Sequence, residues 1–118
     1  MEKKLYREEL TQMEINAHRA SLNGEPAVYC GTYGKYNNGD ISGMWVDVAS
    51  FTDYEEFMEF CERVHADEED VELMFQDYEG FPYAWYSESG MGEETFDKIK
   101  EFAKLTDNER EAYEVYLN

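Results

Sequence analysis

The fold prediction depends on the stretch Ala27-Val28-Tyr29-Cys30-Gly31-Thr32-Tyr33-Gly34-Lys35-Tyr36-Asn37-Asn38-Gly39-Asp40-Ile41-Ser42-Gly43-Met44-Trp45-Val46-Asp47-Val48. Residues 27–33 are rich in side chains that favour a pleated strand. Residues 41–48 alternate, with Met44 and Val46 on one face and Trp45 on the other. Between the strands, Asn38-Gly39 tolerates positive φ, which suits a hairpin turn. The stretch therefore predicts two antiparallel strands.

On both sides of this hairpin the apolar residues recur with a helical period. Residues 3–22 are predicted to form a helix that ends at Asn23-Gly24-Glu25-Pro26, because glycine suits the cap and proline cannot continue the helix. After the hairpin, Thr52-Asp53-Tyr54-Glu55 fits a capping box. The helix that follows has an apolar stripe formed by Tyr54, Phe57, Met58, Cys61 and Val64.

The rest of the chain is predicted to be helical. A short helix is expected from residue 67 or 68 to about 75. Further along, Gly80-Phe81-Pro82 breaks the helical pattern. Another spans about 93–104, with Phe96, Ile99 and Phe102 facing inward, and a last helix opens with a capping box at Thr106 and runs through residue 117. The predicted fold class is α+β: a small antiparallel sheet with a helix, followed by a small all-helical lobe.

Three segments follow from this pattern. Residues 1–26 are predicted to be an N-terminal helical extension, residues 27–65 an α+β domain with the antiparallel hairpin, and residues 66–118 a helical domain. The N-terminus lacks the apolar stretch of a signal peptide, and no apolar run approaches the roughly 20 residues that cross a bilayer. We therefore expect a cytoplasmic protein.

Charge is the outlying property of the composition. The 118 residues contain 28 acidic and 10 basic side chains, for a net charge of −18. Residues 1–52 hold seven acids and five bases, whereas residues 53–118 hold 21 acids and five bases. Such a chain is not expected to bind nucleic acid or an anionic membrane directly, because both are polyanions.

The densest run of acids lies at residues 53–79, where twelve carboxylates are opposed by Arg63 alone. Few salt bridges along a helix can offset that repulsion. Eighteen net charges match roughly 30 Å of duplex DNA, or about nine base pairs, at about one charge per 1.7 Å. We therefore predict a partner-binding surface that includes Glu88, Glu93 and Glu94 as well as the run itself: Asp53, Glu55, Glu56, Glu59, Glu62, Asp67, Glu68, Glu69, Asp70, Glu72, Asp77 and Glu79.

Three other kinds of site are weaker hypotheses. Cys61 and His65 lie four residues apart on a predicted helix, but core packing and a helix-end cation explain them better than a zinc site with four ligands. Asp67-Glu68-Glu69-Asp70 lacks the alternating ligands and central glycine of a calcium loop. A catalytic pair of carboxylates needs a pocket that separates their pKa values, which no pattern here indicates. We predict no enzyme activity, no metal and no cofactor.

Two motifs carry a family resemblance. The first is Tyr29-Cys30-Gly31-Thr32-Tyr33-Gly34-Lys35-Tyr36-Asn37-Asn38-Gly39 followed by Ser42-Gly43-Met44-Trp45, and the second is Gln76-Asp77-Tyr78-Glu79-Gly80-Phe81-Pro82. In this order they resemble the hallmarks of ArdA-type antirestriction proteins. The resemblance covers about residues 27–90 well and the final helices more loosely.

The resemblance implies an acidic mimic of DNA that occupies the DNA-binding groove of type I restriction–modification enzymes and protects incoming mobile DNA. It implies that residues 27–65 and 66–118 correspond to the first two of three domains, with the third missing. It also implies structural roles in turns and packing for Gly31, Gly34, Asn38, Gly39, Trp45, Gly80 and Pro82. The alternative functions are an acidic module that binds another basic, DNA-binding protein and a small carboxylate enzyme.

Overall fold

The computed structural model describes residues 4–117. Within them, a three-stranded antiparallel sheet is formed by β1 (Ala27–Thr32), β2 (Met44–Asp47) and β3 (Leu73–Glu79), in the order β2-β1-β3. The described residues also contain five helices, which are α1 (Gln12–His18), α2 (Tyr33–Asn37), α3 (Tyr54–Val64), α4 (Glu93–Ala103) and α5 (Asp107–Leu117). The predicted α+β class is confirmed.

The central strand, β1, is buried along most of its length and pairs with both neighbours. Val28 faces Val46 across to β2 and Tyr78 across to β3. The register to β3 shifts between Val28 and Cys30, which marks a bulge in the pairing. The predicted strand pair therefore forms as expected, and a third strand from later in the chain completes the sheet.

The connection between β1 and β2 is longer than a tight turn. Thr32 ends β1 and caps α2, because its Oγ1 accepts a hydrogen bond from the Lys35 backbone N–H at 3.1 Å. After this short helix, Gly39 reverses the chain with a φ of +77°. The predicted positive φ is present, but it follows a helical turn and does not form a simple hairpin.

The helix predicted for residues 67 or 68 to about 75 is wrong, because Leu73–Glu79 is strand β3. Its apolar residues satisfied the helical pattern, but pairing with β1 buries Met74 and Phe75 and satisfies the backbone polar groups of the strand. Residues 66–118 therefore contribute a strand to the sheet. The division at residue 66 into two domains stays a prediction.

The helix predicted for residues 3–22 is also too long, and its first residue lies outside the described part of the chain. Helix α1 begins at Gln12 because Thr11 and Glu14 form a capping box. The segment before it runs along residues 66–69, with the Tyr6 N–H donating to the Ala66 carbonyl at 2.8 Å. The segment after it extends along β2, where the Ala20 N–H donates to the Trp45 carbonyl at 3.1 Å.

The core lies where α3, the sheet and α4 meet. Phe57 of α3 contacts Phe75 of β3 and Phe96 of α4, with ring centroids 5.9 and 5.5 Å apart. Ile99 and Phe102 extend the same buried face of α4, as the sequence predicted. Each buried ring contributes about 1.5–3 kcal/mol to the free energy of folding. This core fixes the helices whose opposite faces carry the acids.

Candidate acidic interaction surface

The fifteen predicted carboxylates are called the acidic surface below. Twelve of them are exposed, and Glu62, Asp67 and Glu68 are half-buried. The exposed members come from α3, the loop before β3, β3 itself, the segment after β3 and the start of α4: Asp53, Glu55, Glu56, Glu59, Glu69, Asp70, Glu72, Asp77, Glu79, Glu88, Glu93 and Glu94.

Helix α3 presents a row of acids because its other face is buried. Phe57 and Phe60 point into the core, which leaves Glu55, Glu56 and Glu59 on the exposed side. Asp53 caps the helix, since its side chain accepts a hydrogen bond from the Glu56 N–H at 2.9 Å. The cap is one residue later than the predicted Thr52. Acids in the first turn also interact favourably with the helix dipole.

Two members of the acidic surface are held by internal partners. Lys35 Nζ lies 2.9 Å from Asp67 Oδ1. The Thr32 hydroxyl donates a hydrogen bond to Glu68 Oε1 at 2.6 Å. These contacts tie the loop before β3 to the end of β1 and to α2. Asp67 and Glu68 therefore link neighbouring elements of the fold in addition to contributing negative charge.

Strand β3 lies at an edge of the sheet, and two acids mark its second half. Asp77 and Glu79 are both exposed and two residues apart, so they lie on the same face of the strand. Charged side chains on an edge strand discourage pairing with a second sheet. At the same time they continue the acidic surface along the sheet.

The basic side chains leave most of this acidic charge unpaired. Several of them donate to backbone carbonyls: Arg7 to Glu68, Lys100 to Thr52, and Arg110 to Gly24 and Ala103. Between residues 4 and 117, ion pairs of lysine or arginine with the acidic surface are limited to Lys35–Asp67 and Lys98–Glu94. These arginine and lysine side chains thus stabilise the backbone, and most carboxylates of the acidic surface face solvent.

The strongest arginine contact lies at the margin of the acidic surface. Arg63 of α3 binds both carboxylate oxygens of Glu14 on α1, at 2.7 and 2.9 Å, and donates to the Glu8 carbonyl. Its hydrogen bonds, together with those from Thr11, lower the pKa of Glu14 to about 2, well below the usual value of 4.5. The one base within the run at residues 53–79 therefore fixes α1 on α3.

The Cys61 and His65 hypothesis is resolved by their contacts. Cys61 is fully buried in the core, and burial raises the pKa of its thiol. His65 Nδ1 lies 3.0 Å from Lys35 Nζ, and His65 Nε2 lies 3.0 Å from the Cys30 carbonyl. Because an ammonium group only donates, Nδ1 accepts and Nε2 carries the proton. His65 is thus a buried residue at the end of α3 with a polar partner at each ring nitrogen.

The four acids of the calcium hypothesis, Asp67-Glu68-Glu69-Asp70, do not share one environment. Glu69 and Asp70 point to solvent, while Asp67 and Glu68 bind Lys35 and Thr32. Among residues 4–117, no group of three or more histidine, cysteine, aspartate or glutamate side chains is arranged to hold a metal ion. In the same part of the chain, no helix is long and apolar enough to cross a membrane.

The residues named for structural roles lie in turns and close contacts. A Cβ on Gly31 would meet Gln76, and one on Gly34 would meet Glu68. Gly80 has a φ of +81°, and an added Cβ would lie 2.3 Å from the Glu25 carbonyl oxygen. Asn38 donates to the Gly34 carbonyl at 3.0 Å, Trp45 packs edge-on against Tyr29, and buried Pro82 precedes the 3-10 turn Tyr83–Trp85.

Further exposed acids lie beyond the predicted set. Six of them are on α4 and α5: Asp97, Glu101, Asp107, Glu109, Glu111 and Glu114. The same helical spacing that placed Phe96 and Phe102 inward could have found them. Two are near lysines or capping groups: Glu101 lies 3.0 Å from Lys104 Nζ, and Glu109 forms the capping box with Thr106.

The molecule is long relative to its width, with extents of 53 × 29 × 23 Å. Duplex DNA of 53 Å carries about 31 charges at about one per 1.7 Å. The net charge of −18 is therefore more than half that of a duplex of equal length.

Comparison with known proteins identifies the family. The family described as "Antirestriction protein (ArdA)" matches residues 28–118, which include all of the sheet except Ala27, and α3, α4 and α5. No curated protein and no solved structure matches the chain. Because the match covers most of the sequence, the chain belongs to the ArdA family of antirestriction proteins.

Proposed function

We propose that this protein is a DNA mimic that inhibits type I restriction–modification enzymes by presenting its acidic surface to their DNA-binding groove. Family membership establishes antirestriction, and with it an interaction with restriction enzymes, in general terms. The observation that carries the finer proposal is the set of twelve exposed carboxylates, which have few lysine or arginine partners among the described residues.

The physical argument is a competition between two polyanions. A groove that binds duplex DNA is lined by lysine and arginine, and its positive potential attracts any surface with a similar density of negative charge. Because most of the twelve exposed carboxylates have no lysine or arginine ion pair within residues 4–117, binding requires little loss of internal ion pairs. The interaction would form quickly and weaken as salt increases.

We further propose that the protein acts by stoichiometric binding in the cytoplasm, without catalysis or a cofactor. Inhibition by occupation of a groove needs one inhibitor for each binding site and leaves both molecules chemically unchanged. The fifteen carboxylates share the interaction, so one removal should have a small effect and several removals a large one.

The test is inhibition of a purified type I enzyme. ATP-dependent cleavage and methylation of a substrate with its recognition sequence are followed as the protein is titrated, at about 50 and about 200 mM salt. We expect both activities to fall, with weaker inhibition at higher salt. Full activity at a large molar excess and low salt would remove this proposal. A pull-down that then recovered an unrelated basic protein would favour the alternative of a more general acidic module.

A further inference from the structure

A small aromatic pocket lies where the second motif meets α5. It is lined by Tyr78, Phe81, Pro82, Tyr83 and Glu114 and has a volume of about 270 Å³. The Tyr78 ring centroid lies 5.2 Å from that of Phe81 and 6.1 Å from that of Tyr83. This is smaller than the roughly 300–1,000 Å³ of typical small-molecule sites, and it suits a single side chain.

The local sequence explains why the rings gather there. Strand β3 ends at Glu79, and Gly80 turns the chain with positive φ so that Phe81 packs inward. Pro82 then starts the 3-10 turn Tyr83–Trp85, which leaves Tyr83 76% exposed beside Tyr78. The backbone conformation at Gly80 and Pro82 therefore positions these rings, which form an aromatic wall of the pocket, before any ligand binds.

A second ring, that of Tyr86, packs against Tyr78. Tyr86 stacks on it with centroids 4.5 Å apart, and the Tyr86 hydroxyl donates to the Phe75 carbonyl at 2.5 Å. Because that bond anchors Tyr86 to β3, Tyr78 has little freedom to leave the pocket. A ligand would thus meet an ordered aromatic wall and would lose little energy in ordering it.

Of the residues that the structure describes, those lining the pocket include a carboxylate and no basic side chain. The carboxylate is that of Glu114, which α5 contributes to the lining. In the described residues, the cation–π contacts involve the rings of Tyr6, Phe96 and Phe102, none of which lines this pocket. Ring faces and a carboxylate both attract cations.

We propose that this aromatic pocket receives an arginine side chain of the partner enzyme. The inference rests on the proposed function and names a specific anchor for it. A planar guanidinium can stack on a tyrosine ring while its fork binds a carboxylate, which an ammonium group cannot match. A DNA-binding groove supplies such a group, since arginine contacts both guanine edges and phosphates there.

The test uses a simple probe that does not depend on the enzyme. N-acetyl-arginine methylamide and its uncharged citrulline analogue are titrated into the full-length protein and followed by NMR. We expect saturable shifts of Tyr78, Tyr83 and Glu114 with the arginine probe and no saturation with citrulline. Shifts spread equally over exposed carboxylates, or equal binding of both probes, would overturn the inference.

Two variants with matched controls sharpen the result. Tyr83→Leu and Glu114→Gln should each weaken arginine binding by about two- to fivefold, the range of an exposed cation–π or charge contact. Tyr116→Leu and Glu111→Gln change an exposed tyrosine and an exposed acid of α5 outside the pocket and should leave binding unchanged. Unchanged binding in both pocket variants would refute the inference.

The same variants separate this inference from the proposed function. If the pocket variants lose arginine binding yet inhibit the restriction enzyme as strongly as the parent, the pocket is not an anchor for that partner and the inference is overturned. If the parent binds arginine through the pocket but fails to inhibit any type I enzyme, the proposed function fails instead, and the pocket's arginine binding stands.

Discussion

The exposed face of α3 offers the clearest way to change charge without changing the fold. Glu55, Glu56 and Glu59 all point to solvent, while Phe57 and Phe60 bury the opposite face. The triple variant E55Q/E56Q/E59Q keeps the size of each side chain and removes three negative charges. Asp53 remains as the cap, so α3 should still form.

The expected loss of inhibition follows from the surroundings of these groups. None of the three has a lysine or arginine ion pair within residues 4–117, and Glu56 has only His18 at 3.8 Å. Their charge is therefore available to a partner. A surface charge interaction is typically worth about 0.2–1 kcal/mol, so three of them correspond to roughly 3- to 150-fold weaker inhibition at low salt.

The assay is cleavage by a type I restriction enzyme at several inhibitor concentrations and at about 50 and about 200 mM salt. The difference between parent and variant should shrink at the higher salt, because screening weakens the contribution of each lost charge. Circular dichroism and thermal unfolding of both proteins verify that α3 is intact.

A charge-preserving variant is the matched control. E55D/E56D/E59D shortens the same three side chains but keeps their charge, and it should inhibit almost as well as the parent. If the folded glutamine variant inhibits as strongly as the parent at low salt, the reasoning that the negative charge of α3 drives binding is refuted. Equal losses in both variants would instead indicate that side-chain shape matters more than charge.

Three further predictions concern the scaffold. Asp53→Ala removes the cap of α3 and should lower the free energy of unfolding by about 1 kcal/mol in urea. Gly80→Ala should lower the melting temperature strongly, because the residue has a φ of +81° and its Cβ would meet a backbone carbonyl oxygen at 2.3 Å. Arg63→Met should raise the pKa of Glu14 from about 2 towards its usual value of 4.5, measured by carboxyl NMR. Since the folded pKa is the lower one, the stabilisation from this pair is present above pH 4.5 and is lost as the pH falls towards 2.

Each of these has an internal comparison. Thr52→Ala should cost little, since the cap is Asp53; a larger cost than Asp53→Ala would contradict the observed helix start. Gly39→Ala also places a side chain at positive φ, but nothing lies within 4 Å of its Cβ. It should therefore be milder than Gly80→Ala, and equal destabilisation would contradict the close contact. A Glu14 pKa that stays near 2 without Arg63 would show that this ion pair is not its cause.

Local patterns predicted the elements whose stability is local. The stripe of α3, the inward residues of α4 and the capping box of α5 all depend on neighbours within one or two turns. The two strands around the reversal were predicted for the same reason, from composition and alternation. The acidic helix faces followed directly, because an acid opposite a buried stripe must be exposed.

Long-range pairing was not visible in the same way. Phe75 fits a helical stripe as well as a strand. Its strand conformation is decided by pairing across the sheet with Cys30, which lies 45 positions earlier in the chain. Similarly, Asp67 and Glu68 were expected to be free charges. In the structure they bind Lys35 and Thr32, which precede α3 in the chain, whereas the two acids follow it. Such partners are set by the tertiary fold and not by local spacing.

The short N-terminal helix shows a different limit. Apolar spacing over residues 3–22 suggested one long helix, yet the capping box at Thr11 and Glu14 was a local signal that could have placed its start. What ends it after His18 is again non-local, because the following residues bind the edge of β2.

The most direct test of DNA mimicry is displacement of DNA from its own site. A fluorescent duplex with the recognition sequence is bound to a type I restriction–modification enzyme, and its anisotropy is followed as the protein is added. We predict that the duplex is released competitively, that the free protein never binds the duplex itself, and that release weakens with added salt. A duplex that stays bound while the protein also joins the complex would contradict the claim that the acidic surface occupies the DNA-binding groove.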